Sequence, residues 1–309
     1  MKRESTPRMI FWPDRKGDIM KANETGLLKF LQGTRQFIIP IYQRTYSWTL
    51  AECQQLWNDI VRASENDDIS AHFIGSVVYI ERGLYQVSAV PQVLVIDGQQ
   101  RLTTLTLLLA ALGKVIEERG LTGEVTRKKI SAYCLFNSEE EGELRYKLLL
   151  TRSDKETLTR ILDDVEPLVT ASKRITDNSA FFLQQLRRPD VDPLRIYQGV
   201  SKLILVDISL DRSHDNPQLI FESLNSTGRE LSQADLVRNY VLMGLDVLDQ
   251  TKLYNLYWYP MEQRLMDPRA SHEETIPLFD RFMRDYLTIQ SDPQHQGCLH
   301  RLQDVPCAA

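Results

Sequence analysis

With 309 residues, of which 42% are hydrophobic and 26% charged, the chain has the composition of a globular protein and the length of about two domains. Asp and Glu outnumber Lys and Arg by 42 to 37, a formal net charge of -5, which argues against a protein that coats nucleic acid through bulk positive charge and leaves only a local basic groove. No apolar run reaches the roughly 18 residues of a spanning helix, the charged N-terminus has no signal-peptide core, and Cys53, Cys134, Cys298 and Cys307 form no CxxC pair, so the expectation is a reducing cytoplasm, no membrane and no metal site.

In chain order, residues 1–24 read as a tail. Phe37–Ile39, Phe73–Ile80 and Val93–Ile96 are β-branched and aromatic and predict strands. Between them Leu50–Ala63, apolar at Leu56, Trp57, Ile60 and Val61, predicts an amphipathic helix. Gln99–Glu118 predicts a long helix that is apolar around most of its circumference and therefore central. Beyond Thr126 the patterns are helical, over Asp154–Leu162, Ala171–Leu186, Pro217–Leu224, Gln233–Leu245, Lys252–Leu265 and Thr275–Leu287. One strand that alternates little, Leu203–Leu210, interrupts them and is expected to rejoin the N-terminal sheet with both faces buried. The resulting fold class is α+β: residues 25–245 form one unit with a small mixed sheet, a long buried helix and a helical insertion around 126–200. Residues 246–290 start a helical region and 291–309 form a second tail.

Three segments carry polar residues that packing alone does not ask for. In Ile39–Trp57, Tyr42, Tyr46 and Trp48 interleave with Gln43 and Arg44 after a strand. They can stack and hydrogen-bond a base or clamp a phosphate, or they can pack the core, with Ser47 or Thr49 capping the next helix. In Val93–Leu112, a strand runs through Asp97-Gly98 straight into the long helix. A helix N-terminus is an anion site, Gly98 permits close approach, Arg101 suits bidentate phosphate binding, and Asp97 can ligate magnesium or activate water. The structural alternative makes Asp97 the helix cap, with Gln100 closing a capping box. In Ile220–Met243, the loop Asn225-Ser226-Thr227-Gly228-Arg229 joins two helices; with Glu222 it either completes a nucleotide pocket or is turn chemistry. No P-loop, G-x-G-x-x-G, H-E-x-x-H or G-x-S-x-G pattern occurs, and His214-Asp215-Asn216 lacks a partner histidine at metal-site spacing.

The ordered set YQRTYSW, FIGSVV, IDGQQRLTTL and FESLNSTGRELSQADLVRN resembles the GmrSD restriction endonuclease N-terminal domain family over about residues 25–290. The resemblance implies a ParB/sulfiredoxin-like α+β fold, in which a G-x-x-R turn at a helix N-terminus, here Gly98-Gln99-Gln100-Arg101, binds phosphate. It further implies nucleoside triphosphate with Mg²⁺ as ligand, Asp97, Gln100 and Arg101 as catalytic residues, and Gly98, Gln99, Arg101, Arg44, Gln43 and Asn225 as nucleotide-binding residues. Tyr42, Tyr46, Trp48, Glu222 and Gly228 fall to a ligand or modified-DNA pocket. The function so implied is a nucleotide-hydrolysing regulatory domain of a modification-dependent restriction or antiphage system; the alternative is a non-enzymatic DNA-binding module of the same kind of system. Its partners are DNA and an HNH-type nuclease domain or subunit, with a homo-oligomer left open. No HNH pattern follows Asp292, so cleavage is expected to be supplied elsewhere.

Overall fold

A computed structural model describes residues 21–81, 90–166, 168–210, 232–243, 247–265 and 278–291, together with 220 and 245. At its centre lies a six-stranded mixed sheet in the order β1-β6-β3-β4-β2-β5. The strands are β1 (Lys21–Gly26), β2 (Gln36–Ile38), β3 (His72–Glu81), β4 (Gln92–Asp97), β5 (Leu148–Leu149) and β6 (Leu203–Leu210). β6 runs parallel to β3 and antiparallel to β1; β4 runs antiparallel to β3 and parallel to β2; β2 runs parallel to β5.

The central strands read as unbroken apolar runs because both of their faces are covered. Side chains alternate across the pleat, so Val77, Tyr79, Val93 and Val95 enter one core while Val78, Ile80, Leu94 and Ile96 enter another. The first core is roofed by α1 (Leu27–Gln32), α2 (Leu50–Glu65), α3 (Gln99–Glu118), α5 (Arg152–Leu162), α6 (Lys173–Arg187) and α7 (Pro193–Ser201). A short α4 (Arg127–Ile130) followed by a π-helical turn (Ser131–Leu135) adds Ile130, Cys134 and Leu135 to it. The second core is closed by α8 (Gln233–Met243), α9 (Val247–Leu253), a π-helical turn (Tyr254–Trp258), α10 (Tyr259–Leu265) and α11 (Leu278–Ser291). α3 is the pillar of the first core: Leu107, Leu108, Leu109 and Leu112 are fully buried, and truncating one such leucine to alanine costs about 3 kcal/mol.

Most sequence expectations meet the structure within a residue or two. The three early strands, Leu203–Leu210, the helix at residue 50 and the helix Gln99–Glu118 are all present. The short α4 and the π turn after it match no expected helix, and four further elements escape the pattern reading. β1 starts at Lys21, inside the expected N-terminal tail; it is an exposed edge strand of charged and polar residues, so no apolar alternation announces it. α1 and β5 have six and two residues, too few to show a period. α7 begins on Asp192-Pro193, whose aspartate caps the backbone of Leu194; that signal was legible. The expected Lys252–Leu265 helix breaks into α9, a π turn and α10. The expected helix Pro217–Leu224, the cluster His214-Asp215-Asn216 and the second tail from residue 292 onward lie outside the described residues.

Candidate functional site

The chain leaves β4 at Asp97 and turns into α3 through Gly98, which is buried and has a φ of 93°. A Cβ there would lie 2.9 Å from the Ser76 carbonyl oxygen and 3.0 Å from Val77 Cγ2, so glycine is required both by the left-handed backbone and by close packing on β3. Gly98, rather than Asp97, is the N-cap of α3, and no side chain caps this 20-residue helix. The capping-box alternative for Asp97 and Gln100 is therefore overturned. Among the described residues none donates to the Asp97 carboxylate, which is half-buried at the strand end.

Gln100 is engaged elsewhere. Its Oε1 accepts from the backbone N–H groups of Ser47 (2.8 Å) and Trp48 (3.2 Å), and its Nε2 donates to the Thr45 carbonyl at 3.3 Å. Gln99 Nε2 donates to Gln43 Oε1 at 3.3 Å, while Gln43 Nε2 donates to the Ile96 carbonyl at 3.0 Å. The segment from Gln43 to Trp48 is thus strapped across the first turn of α3 by buried amides. Thr49 then opens α2 with a full capping box to Glu52, settling which of Ser47 and Thr49 caps that helix.

The aromatics of the strap face opposite cores. Tyr42 is buried in the second core and Tyr46 in the first, with Trp48 packed partly buried beside it. Tyr46 Oη accepts from Asn178 Nδ2 (2.8 Å) and pairs with Thr104 Oγ1 (2.6 Å), whose own proton goes to the Gln100 carbonyl at 2.8 Å. The Tyr46 backbone N–H donates to Asp154 Oδ2 at 2.7 Å. Burial pushes the Tyr46 phenol up and the neighbouring Cys53 thiol up to about 11. Both Tyr42 and Tyr46 rings thus fill cores in this structure, which is the packing side of the two readings for that segment.

Arg101 donates from Nη1 to the Ser76 carbonyl and lies over Gly75, where β3 bulges away from β6. A Cβ at Gly75 would sit 2.8 Å from Arg101 Cζ, so the glycine of FIGSVV makes room for the arginine of DGQQR. The fourth motif reaches the same place from the other side of the sheet: Arg238 Nε donates to the Tyr42 carbonyl at 2.6 Å. Glu222, Asn225, Thr227, Gly228 and Arg229 lie outside the described residues.

Beside the strap opens a cleft of about 450 Å³, lined by Gln43, Arg44, Thr45, Arg152, Arg238 and Glu262 among others. Arg238 is 5% exposed and its charge is matched by Asp235 and Glu262. Glu262 takes Arg238 Nη1 (2.6 Å) and Trp258 Nε1 (3.1 Å) on one oxygen and Tyr254 Oη (2.8 Å) on the other. Arg152 differs. Its guanidinium stacks 4.0 Å and 4.6 Å from the ring centroids of Tyr254 and Tyr259, and its buried Nη2 has no acceptor. Burial holds it below the usual arginine range. Sequence reasoning missed Arg152, Arg238 and Glu262. Arg238 stood inside the quoted motif LVRN, but nothing local marks Arg152, which meets its partners only across about a hundred residues of chain.

Among the described residues no group of three or more His, Cys, Asp or Glu is placed to hold a metal ion, and no helix is long and apolar enough to cross a membrane. No curated protein matches the chain. Residues 27–242 match the family described as GmrSD restriction endonuclease, N-terminal domain; the chain belongs to that family and is a component of a restriction system.

Proposed function

We propose that this GmrSD N-terminal domain is a nucleotide-binding and nucleotide-hydrolysing regulatory domain of a modification-dependent DNA restriction system, with cutting supplied by an HNH-type nuclease domain or subunit. The observation that carries the reading is the Asp97 carboxylate, to which no described residue donates, beside the N-terminus of α3, which no side chain caps. The first backbone N–H groups of a helix, with its dipole, favour phosphate oxygens. A carboxylate next to them suits orientation of a water or of a Mg²⁺ ion. Mg²⁺ typically takes one or two protein carboxylates and otherwise waters and substrate phosphates, which fits a single aspartate without a multi-ligand cage. When bound, the ion would neutralise phosphate charge; Asp97 would hold it or position the attacking water.

The remaining motif residues hold this geometry. Gly98 lets the backbone turn, Gln99 and Gln100 tie the strap to α3, and Arg101 fixes the bulge of β3 against the helix start. Arg44 lines the cleft beside the strap, where its charge can meet a phosphate. Catalysis of phosphoryl transfer is mostly positioning and charge stabilisation, so a pre-tied helix terminus with one adjacent carboxylate suits it.

The test is phosphate release from nucleoside triphosphates with Mg²⁺ by the purified chain, with and without modified DNA. Asp97→Asn is expected to abolish release while the unfolding midpoint stays at the wild-type value. Release at an unchanged rate in the variant would remove Asp97 from the mechanism. Nucleotide-independent DNA binding that weakens steeply with salt would instead favour a DNA-backbone module.

A further inference from the structure

The cleft beside the strap contains a guanidinium to which no described residue offers a hydrogen-bond acceptor. Arg152 opens α5 with a φ of 55°, a left-handed conformation that is costly for a residue with a Cβ. Such strain persists where the surroundings hold a side chain in place, and it clusters at ligand sites. Here the holding is visible: the guanidinium is stacked over Tyr254 and Tyr259, and Tyr254 belongs to a π-helical turn. π turns inside helices recur at functional sites.

The stacked guanidinium has five N–H donors, yet no described residue accepts from it, and its Nη2 is buried without a partner. An unsatisfied buried donor is costly, so evolution usually removes it or gives it an acceptor. Glu262 takes its hydrogen bonds from Arg238, Tyr254 and Trp258, so its charge reaches Arg152 through space and not through a hydrogen bond. Asp235 is paired with Arg238 as well. The N-cap of α5, Thr151, gives no side-chain cap, and Ser153 of its first turn also lines the cleft. The walls therefore offer a guanidinium, a hydroxyl and a helix start, and the two carboxylates among them, Asp235 and Glu262, are outnumbered by Arg44, Arg152 and Arg238. A volume near 450 Å³ suits a nucleotide-sized ligand and is too small for a duplex.

We infer that this cleft holds the phosphate chain of a nucleoside triphosphate, with Arg152 as the binding cation and Arg44 and Ser153 beside it. The inference rests on the nucleotide reading proposed above and adds a second anchor, in the cleft next to the start of α3, for the same phosphate chain. Gln43 connects the two places. It lines the cleft, and its side chain bonds the Ile96 carbonyl and the Gln99 amide next to Asp97. Occupancy of the cleft would thus be felt at the start of α3 through one residue.

The experiment is calorimetric titration of the full chain with inorganic triphosphate, and separately with each of the four common nucleoside triphosphates, in the presence of Mg²⁺. Three proteins are compared: wild type, Arg152→Asn and Arg152→Lys. Asparagine accepts the left-handed backbone, so that variant removes the guanidinium without adding strain. The expected result is triphosphate binding by wild type that weakens about tenfold or more in Arg152→Asn, with partial recovery in Arg152→Lys. Equal binding by wild type and Arg152→Asn, or no binding of inorganic triphosphate by wild type, overturns the inference. Hydrolysis separates it from the reading beneath it. A chain that hydrolyses nucleotide at the wild-type rate as Arg152→Asn keeps the hydrolytic site and loses this one. A chain that binds triphosphate through Arg152 but hydrolyses no nucleotide keeps this site and loses the hydrolytic reading.

Discussion

The strap over α3 and the cleft next to it are built from the same kinds of residue, amides, arginines and tyrosines, yet they treat their polar groups in opposite ways. In the strap the amides of Gln43, Gln99 and Gln100, the hydroxyls of Tyr46 and Thr104 and the amide of Asn178 pass hydrogen bonds from one to the next, with only the neutral Ser47 Oγ and Asn178 Oδ1 left over among the described residues. In the cleft, Arg238 and Glu262 are satisfied while Arg152 is stacked on aromatics and left without an acceptor. The difference teaches how to read a polar motif: groups bonded to one another within the chain hold the fold, and a charged group that lines a cleft with its donors unused is available to a ligand.

The largest effect should come at the point where strap, strand and helix meet. Gly98→Ala places a Cβ on a left-handed residue 2.9 Å from the Ser76 oxygen and is expected to cost about 4 kcal/mol, read from urea denaturation midpoints. A cost under about 1 kcal/mol would show that the start of α3 is not the tight junction described here.

A pair of variants probes the contrast directly. Gln100→Ala orphans the N–H groups of Ser47 and Trp48 and should cost about 3 kcal/mol, whereas Arg152→Asn should change stability by about 1 kcal/mol or less, because lost stacking is offset by relieved backbone strain. Equal and large losses in both would make the cleft another piece of scaffold.

The smallest effect has a size that depends on pH. Burial raises the Asp154 carboxyl above its ordinary range, against opposing hydrogen bonds from Ser172 and the Tyr46 N–H and the charge of Arg152. A raised folded-state pKa means that the folded chain favours the protonated acid. That contribution is complete below the ordinary carboxylate pKa and is lost as pH rises through the raised value. Asp154→Asn, which can still accept from Tyr46, is therefore expected to be slightly more stable than wild type near neutrality, with the gap closing on acidification. Urea midpoints at neutral pH and near pH 4 check this; a variant that is weaker at neutrality and equal at low pH reverses the sign.

Much of this architecture was legible because hydrophobic periodicity is local. Val93–Ile96 and Leu203–Leu210 announced buried strands, and Gln99–Glu118 a buried helix, through residues adjacent in the chain. β1, α1 and β5 were illegible for the same reason inverted, being too short or too polar to carry a period. At the site, DGQQR and YQRTYSW stood out by composition, but their division of labour did not. Nothing in the sequence says that Gln100 faces the Ser47 and Trp48 amides, or that Tyr42 and Tyr46 point to opposite sides of a sheet.

By itself the sequence determined the α+β class, the central helix, the family and the glycine turn from β4 into α3. It could do so because apolar patterning, glycine at a positive φ and ordered motifs are written within a few residues of one another. Only the tertiary structure decided which polar groups are used up and which are left over. That outcome depends on partners such as Arg152 with Tyr254, Arg238 with Tyr42 and Asn178 with Tyr46, which are separated by long stretches of chain and brought together by burial of the two cores.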